Sequence, residues 1–173
     1  VSTMFIAVPT GVKILNWTAT MWGGKLSFTA PMLFSIGLVT MFTIGGLSGV
    51  THAIAPADAQ QTDTYYIVAH FHYVLFGGAF FGFMGAMYFY WPKAFGFMLS
   101  ETLGKANFWL LLLGFNLTFA PMHILGLQGM SRRIYTYDEG YGFDLWNKIA
   151  TIGAFTVATS VLLFVINILY SIF

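Results

Sequence analysis

His70 and His72 sit two residues apart in a stretch without a single charged residue, 64–92. A helix turns about 100° per residue, so residues two apart point roughly 200° away from each other. One helix therefore presents an imidazole on each of two opposite faces. Such a pair does not share one metal. Each ring can ligate a different cofactor, one on either side, and neutral imidazole is a good axial ligand for haem iron. The spacing leaves a second reading open, in which each histidine hydrogen-bonds a neighbouring helix. Ionisable residues in apolar spans are costly and tend to be functional.

Lys13 is the next residue out of place. It lies about 15 Å along a helix from the glycine pair Gly23-Gly24, deep in a span if the helix extends upstream. A lysine that exchanges its proton in a dry interior suits a proton path. Thr10, one turn earlier on the same face, offers a hydroxyl relay. The plainer reading is that Lys13 snorkels to the interface. Arg132-Arg133 offers a two-pronged grip for carboxylates, such as the propionates of a haem, or serves as an interfacial anchor. Asp58 and Asp63 precede the histidine span. Asp63 reads first as a helix cap, and beside the arginines also as a ligand for a divalent ion. His52 and His123 read as interfacial histidines with no metal role.

The elements that must position these residues follow from composition. Only 8% of the residues are charged and 58% are apolar. A soluble domain carries about 25% charged residues, so the exterior must face lipid. Charges are absent from 26–57, 64–92, 106–131 and 149–173. Each stretch exceeds the roughly 20 residues that cross a bilayer core. The first twelve residues are also uncharged, so five spans are expected: 1–21, 30–55, 64–91, 106–127 and 145–173. Lipid offers no partner to backbone groups, so the spans are helical and the fold class is all-α, a polytopic transmembrane bundle. No alternation typical of a β-barrel is present. Asp144 is expected to cap the last helix, and Pro31 suits the first turn of the second. The five tryptophans, Trp17, Trp22, Trp91, Trp109 and Trp146, fall near span ends, as aromatic belts do.

Zero cysteines exclude a disulfide framework, a thiolate site and a cysteine nucleophile. A net charge of +1 gives no reason to expect nucleic acid. Basic residues divide equally between the two sets of loops, so they do not orient the chain. Val1 opens inside an apolar run, which reads as one portion of a longer subunit. Gly45/Gly49 and Gly78/Gly82 are small-xxx-small pairs that let helices approach closely.

The strings AVPTGVK (7–13), FTIGGLSGV (42–50), DTYYIVAHFHYVLFGG (63–78), WPKAFGFMLSETLGK (91–105) and GMSRR (129–133) resemble subunit I of the haem–copper terminal oxidases. The resemblance runs through nearly the whole chain, favours the branch with a membrane-embedded lysine path, and is weaker toward nitric oxide reductases. It implies the C-terminal part of a twelve-helix bundle that reduces oxygen to water and pumps protons. His70 would ligate the high-spin haem and His72 the low-spin haem, with Phe71 between them. Lys13 and Thr10 would belong to the proton path. Arg132, Arg133 and Asp58 would meet the propionates, and Asp63 an Mg or Mn ion. Thr62 stands where the family usually has histidine, a departure from the pattern of that metal site. Two haems, of a type, and copper are implied, with the copper ligands outside this chain. Implied partners are the upstream portion of the subunit, other oxidase subunits, membrane lipid, and cytochrome c or a similar protein as donor. The WPKAFGF stretch also resembles quinol oxidases. A proton-coupled transporter without haem is the alternative from another class.

Overall fold

A computed structural model describes residues 2–172. Val1 and Phe173, the outer ends of the first and last expected spans, lie outside the described residues. The chain is helical: α1 (Ser2–Met21), α2 (Ala30–Ala53), a short α3 (Ala55–Gln61), α4 (Tyr65–Val74), a π-helical segment (Leu75–Phe80), α5 (Phe81–Phe95), α6 (Glu101–Leu127) and α7 (Asp144–Ile172). Among the described residues four stretches are long and apolar enough to cross a membrane: α2, the continuous run Tyr65–Phe95, α6 and α7. The chain is an integral membrane protein. α1 occupies the expected first span, but its threonines, Asn16 and Lys13 dilute its hydropathy and it buries none of its residues.

The boundaries move for local reasons. α2 begins with Pro31 in its first turn, as expected. α4 is capped by Thr64, not Asp63: the threonine side chain accepts from Tyr66 N at 3.2 Å, while Asp63 takes a left-handed φ of 58°. Asp144 is the first residue of α7, not its cap, and accepts from Tyr137 Oη at 3.2 Å. α6 starts five residues earlier than the apolar run suggests, because Glu101, though exposed, has a partner there. Its carboxylate accepts the free amide of Ala30 at 2.7 Å, tying the start of α6 to the start of α2. α3, built on the polar stretch APADAQQ, is about two turns of helix within the loop expected between the second and third spans.

The large helices pack as antiparallel neighbours. Rising positions on α2 meet falling positions on the next helix: Phe34 with Gly85, Met41 with Gly77, Ser48 with His70. The same holds between α4–α5 and α6, where Tyr73 meets Asn116 and Phe81 meets Phe108. In lipid there is little hydrophobic drive between helices, so close packing and polar ties carry the association. An aromatic core joins α2, α5 and α6: Phe34 is fully buried, 5.2 Å from Phe108 and 5.6 Å from Tyr88 between centroids.

α6 and α7 are held by buried polar contacts. Asn107, fully buried, donates to Ser160 O at 2.6 Å, and Ser160 Oγ donates back to Asn107 O at 3.0 Å. Asn167 Oδ1 accepts from Ser100 N at 3.0 Å. Replacing Asn107 with Ala should lower stability by about 1 kcal/mol, the usual scale of an interhelical hydrogen bond in a membrane. Thermal inactivation of the detergent-extracted protein checks this.

Candidate cofactor-ligand site

The site lies where α4 passes between α2 and α6. His70 faces α2. Its Nδ1 lies 2.9 Å from Gly45 O and 2.9 Å from Ser48 Oγ. His72 faces the other way, with its ring stacked on Phe119 of α6 at 4.1 Å and 15°. Its Nδ1 lies 2.7 Å from Val68 O, one turn back on the same helix. The opposite-face geometry expected from the spacing is thus what the packing shows.

Both rings are held in the same chemical form. A backbone carbonyl only accepts hydrogen bonds, so the Nδ1 beside it carries the proton. In a neutral imidazole Nε2 then keeps its lone pair, the form a metal needs. No hydrogen bond reaches Nε2 of either ring among the described residues. Both histidines are half-buried, so each Nε2 is presented to what lies beside this chain. The donor set fits two separate axial iron sites. Gly49 makes room for the first ring: a Cβ there would sit 2.9 Å from His70 Cε1. Phe71 lies between the two imidazoles in sequence, its ring 4.5 Å from that of His72.

Local structure explains why α4 can sit so close to α2. Gly45 faces the backbone between Tyr73 and Val74, where a Cβ would approach within 2.9 Å. Directly after the histidines the helix widens into the π-helical segment, a feature often found at functional sites. Consecutive Gly77 and Gly78 both lie against α2 there, at Met41 and Phe42.

His52 and His123, near the ends of α2 and α6, pack onto residues of α4. The His52 ring lies 4.9 Å from that of His70 and 5.3 Å from that of Tyr66. His123 packs 5.0 Å from Tyr66 and 5.4 Å from Tyr73. Among the described residues neither ring nitrogen of His52 finds a hydrogen-bond partner, and an Asp58 carboxylate oxygen lies 3.6 Å from its Nδ1. Tyr73, next to the histidine pair, is buried and donates to Asn116 Oδ1 at 2.8 Å. Sequence reasoning missed Ser48, Phe119 and this histidine–tyrosine cluster. The small-residue pattern of α2 picks out Gly49 for close helix packing, and such a face also suits a flat cofactor lying against the helix.

The loop residues divide into two groups. Segments 63–65 and 130–132 pair across the helix ends, with Tyr65 N to Met130 O at 2.9 Å and Arg132 N to Asp63 O at 2.9 Å. This pairing brings Asp63 onto Arg132, whose guanidinium grips one carboxylate oxygen at 2.6 and 2.8 Å. Asp63 is thus an ion-pair partner, and among the described residues no three His, Cys, Asp or Glu side chains gather as a metal site. Asp58 joins His52 rather than either arginine. Arg133 is exposed with a φ of 64° and makes no ion pair among the described residues. Lys13 is exposed on α1, and the Thr10 hydroxyl donates to Ile6 O at 2.8 Å. The structure does not bring Lys13 or Thr10 to the histidines.

The chain as a whole is similar to known proteins. The family model described as cytochrome c and quinol oxidase polypeptide I matches residues 1–156. Cytochrome c oxidase subunit 1 of Thermostichus vulcanus is 55% identical over 171 residues, covering 99% of this chain and 31% of the relative. That of Alkalihalophilus pseudofirmus is 51% identical over 173 residues, covering 100% of this chain and 28% of the relative. Quinol oxidase subunit 1 of Bacillus subtilis is 48% identical over 171 residues, covering 99% and 26%. The chain therefore spans less than a third of the length of these curated relatives. A solved structure described as a heme–copper terminal oxidase dimer shares the fold, with a TM-score of 0.69 at 17% identity over 82% of this chain and 26% of that one. With 156 residues matched and half the positions identical to such relatives, the chain belongs to the cytochrome c and quinol oxidase polypeptide I family.

Proposed function

We propose that this chain forms one wall of the catalytic subunit of a respiratory oxidase that reduces oxygen to water and moves protons across the membrane. It acts only together with the rest of that subunit. The observation that carries this reading is the pair His70 and His72, each with Nδ1 tied to a backbone carbonyl and Nε2 free, on opposite faces of α4. His70 would hold a high-spin haem and His72 a low-spin one, both of a type. When bound, the haems and a copper ion held elsewhere in the subunit supply electron transfer and oxygen chemistry.

The chain's own residues orient and insulate that chemistry. Carbonyl-anchored imidazoles stay in one tautomer and one plane, which limits reorganisation at the iron. Phe71 and Phe119 exclude water around the rings and leave a short path between the two faces of α4. Lys13 and Thr10 would carry protons on the face that α1 presents beyond this chain. Arg132, Arg133 and Asp58 would meet the propionates at the end of α4 where the loops pair. Asp63, held by Arg132, would set the position of that guanidinium; an Mg or Mn ion there would need ligands from outside this chain. The donor would be cytochrome c or a similar protein, in keeping with the highest identities above.

Reduced-minus-oxidised spectra of the purified complex test this reading. His70→Ala should remove the carbon-monoxide-sensitive high-spin signal and spare the low-spin one, and His72→Ala should do the reverse. Unchanged spectra in both variants would sink the assignment. Turnover with reduced cytochrome c but not with a quinol would support the donor; the opposite pattern would make it a quinol oxidase.

A further inference from the structure

We infer that Ser48 is a positioning residue for His70, tuning how strongly this imidazole binds its iron; the inference rests on the ligand role proposed above. Ser48 is buried on α2, with 7% of its surface exposed. Its Oγ lies 2.9 Å from His70 Nδ1 and donates to Gly45 O at 2.8 Å. Gly45 O lies 2.9 Å from the same Nδ1. The three atoms form a closed triangle, and its proton count is fixed.

The carbonyl has no proton, so both Ser48 Oγ and His70 Nδ1 donate toward it. The Nδ1 proton is shared between Gly45 O and the serine oxygen, and the carbonyl is shared between two donors. A shared hydrogen bond is weaker per contact than a single straight one. A strong bond from Nδ1–H draws the proton away and makes the ring a more basic ligand at Nε2. Ser48 thus moderates the basicity that Gly45 O alone would impose. Among the described residues His72 has no such hydroxyl: its Nδ1 bonds to Val68 O at 2.7 Å. The two imidazoles on one helix are therefore set differently, the one on α2 softer and the one toward α6 more basic. A haem held by His70 would thus meet a less basic imidazole than one held by His72.

Ser48 stands in the small-residue face that α2 turns toward α4. Its neighbour Gly49 clears the space for the ring, and Gly45 lets α2 approach α4 closely enough for the triangle to close.

The test is resonance Raman of the reduced, purified complex, reading the iron–histidine stretch of the high-spin haem, with its reduction potential measured in parallel. Ser48→Ala should shift the stretch upward and the potential downward, with the low-spin haem unchanged. Ser48→Thr, which keeps the hydroxyl, should restore wild-type values. An unmoved or lowered stretch in Ser48→Ala overturns the inference, as does an equal shift in both variants, which would mark a packing effect. If Ser48→Ala fails to assemble, Ser48→Cys, a weaker donor of similar size, must show a smaller upward shift, and its absence overturns the inference equally. The underlying ligand reading fails separately: wild type itself would then lack an iron–histidine band that His70→Ala abolishes.

Discussion

Gly49→Val is expected to strip the high-spin haem signal from the assembled complex while leaving the low-spin signal in place. A side chain at position 49 would begin 2.9 Å from His70 Cε1 and 3.6 Å from its Nε2. The ring cannot simply step aside, because its Nδ1 is fixed to Gly45 O. Displacing it costs the overpacking strain, about 1–3 kcal/mol, and the hydrogen bond, about 1 kcal/mol. Together these amount to roughly thirtyfold or more in occupancy, since 1.4 kcal/mol is about a factor of ten. Gly49→Ala should lie between, because the ring needs to yield only slightly. His72 is untouched, since it faces Phe119 across the helix. Carbon monoxide difference spectra read the outcome. Full amplitude in Gly49→Val would mean that His70 is not held against α2 as described here.

The second large effect concerns the scaffold. Gly153→Val should sharply lower the yield and thermal stability of the complex without changing the ratio of haem signals in what survives. A Cβ at 153 would collide with the Thr118 amide nitrogen and approach the Leu117 carbonyl carbon within 2.7 Å. Backbone cannot rotate away as a side chain does, so α6 and α7 must separate. Gly114 makes the reciprocal approach, with a Cβ 2.8 Å from Val157 N. Separation would also weaken the Asn107–Ser160 contacts. The expected cost is about 3 kcal/mol or more, at the upper end of overpacking. Differential scanning of the extracted complex measures it, and wild-type melting would contradict the close packing.

Much of the architecture was legible because lipid imposes a blunt rule. A charge within a span is costly and backbone must pair with itself, so charge-free stretches mark helices. That rule found α2, α4–α5, α6 and α7, but not their ends. Glu101, being charged, falls outside the expected span 106–127, yet its carboxylate caps the start of another helix. Asp63 was read as a cap because acids often are, yet the neighbouring loop offered it Arg132, and Thr64 took the cap. α3 was invisible, since a polar stretch of seven residues has no lipid-facing signature.

The site divides along the same line. The angular step of a helix alone fixes that His70 and His72 point opposite ways, so the chance of two separate ligand positions was determined by the sequence. The remainder arose from helices far apart in the chain. Ser48 and Gly45 reach His70 from more than twenty residues upstream, and Phe119 reaches His72 from more than forty downstream. His52 and His123 look peripheral because each lies near a span end, and only antiparallel packing folds both ends onto Tyr66. Local spacing thus decided that two imidazoles face opposite sides of one helix. Tertiary structure decided their tautomer, their plane and their neighbours, because a hydrogen bond from one helix to another depends on a register that no single stretch of sequence contains.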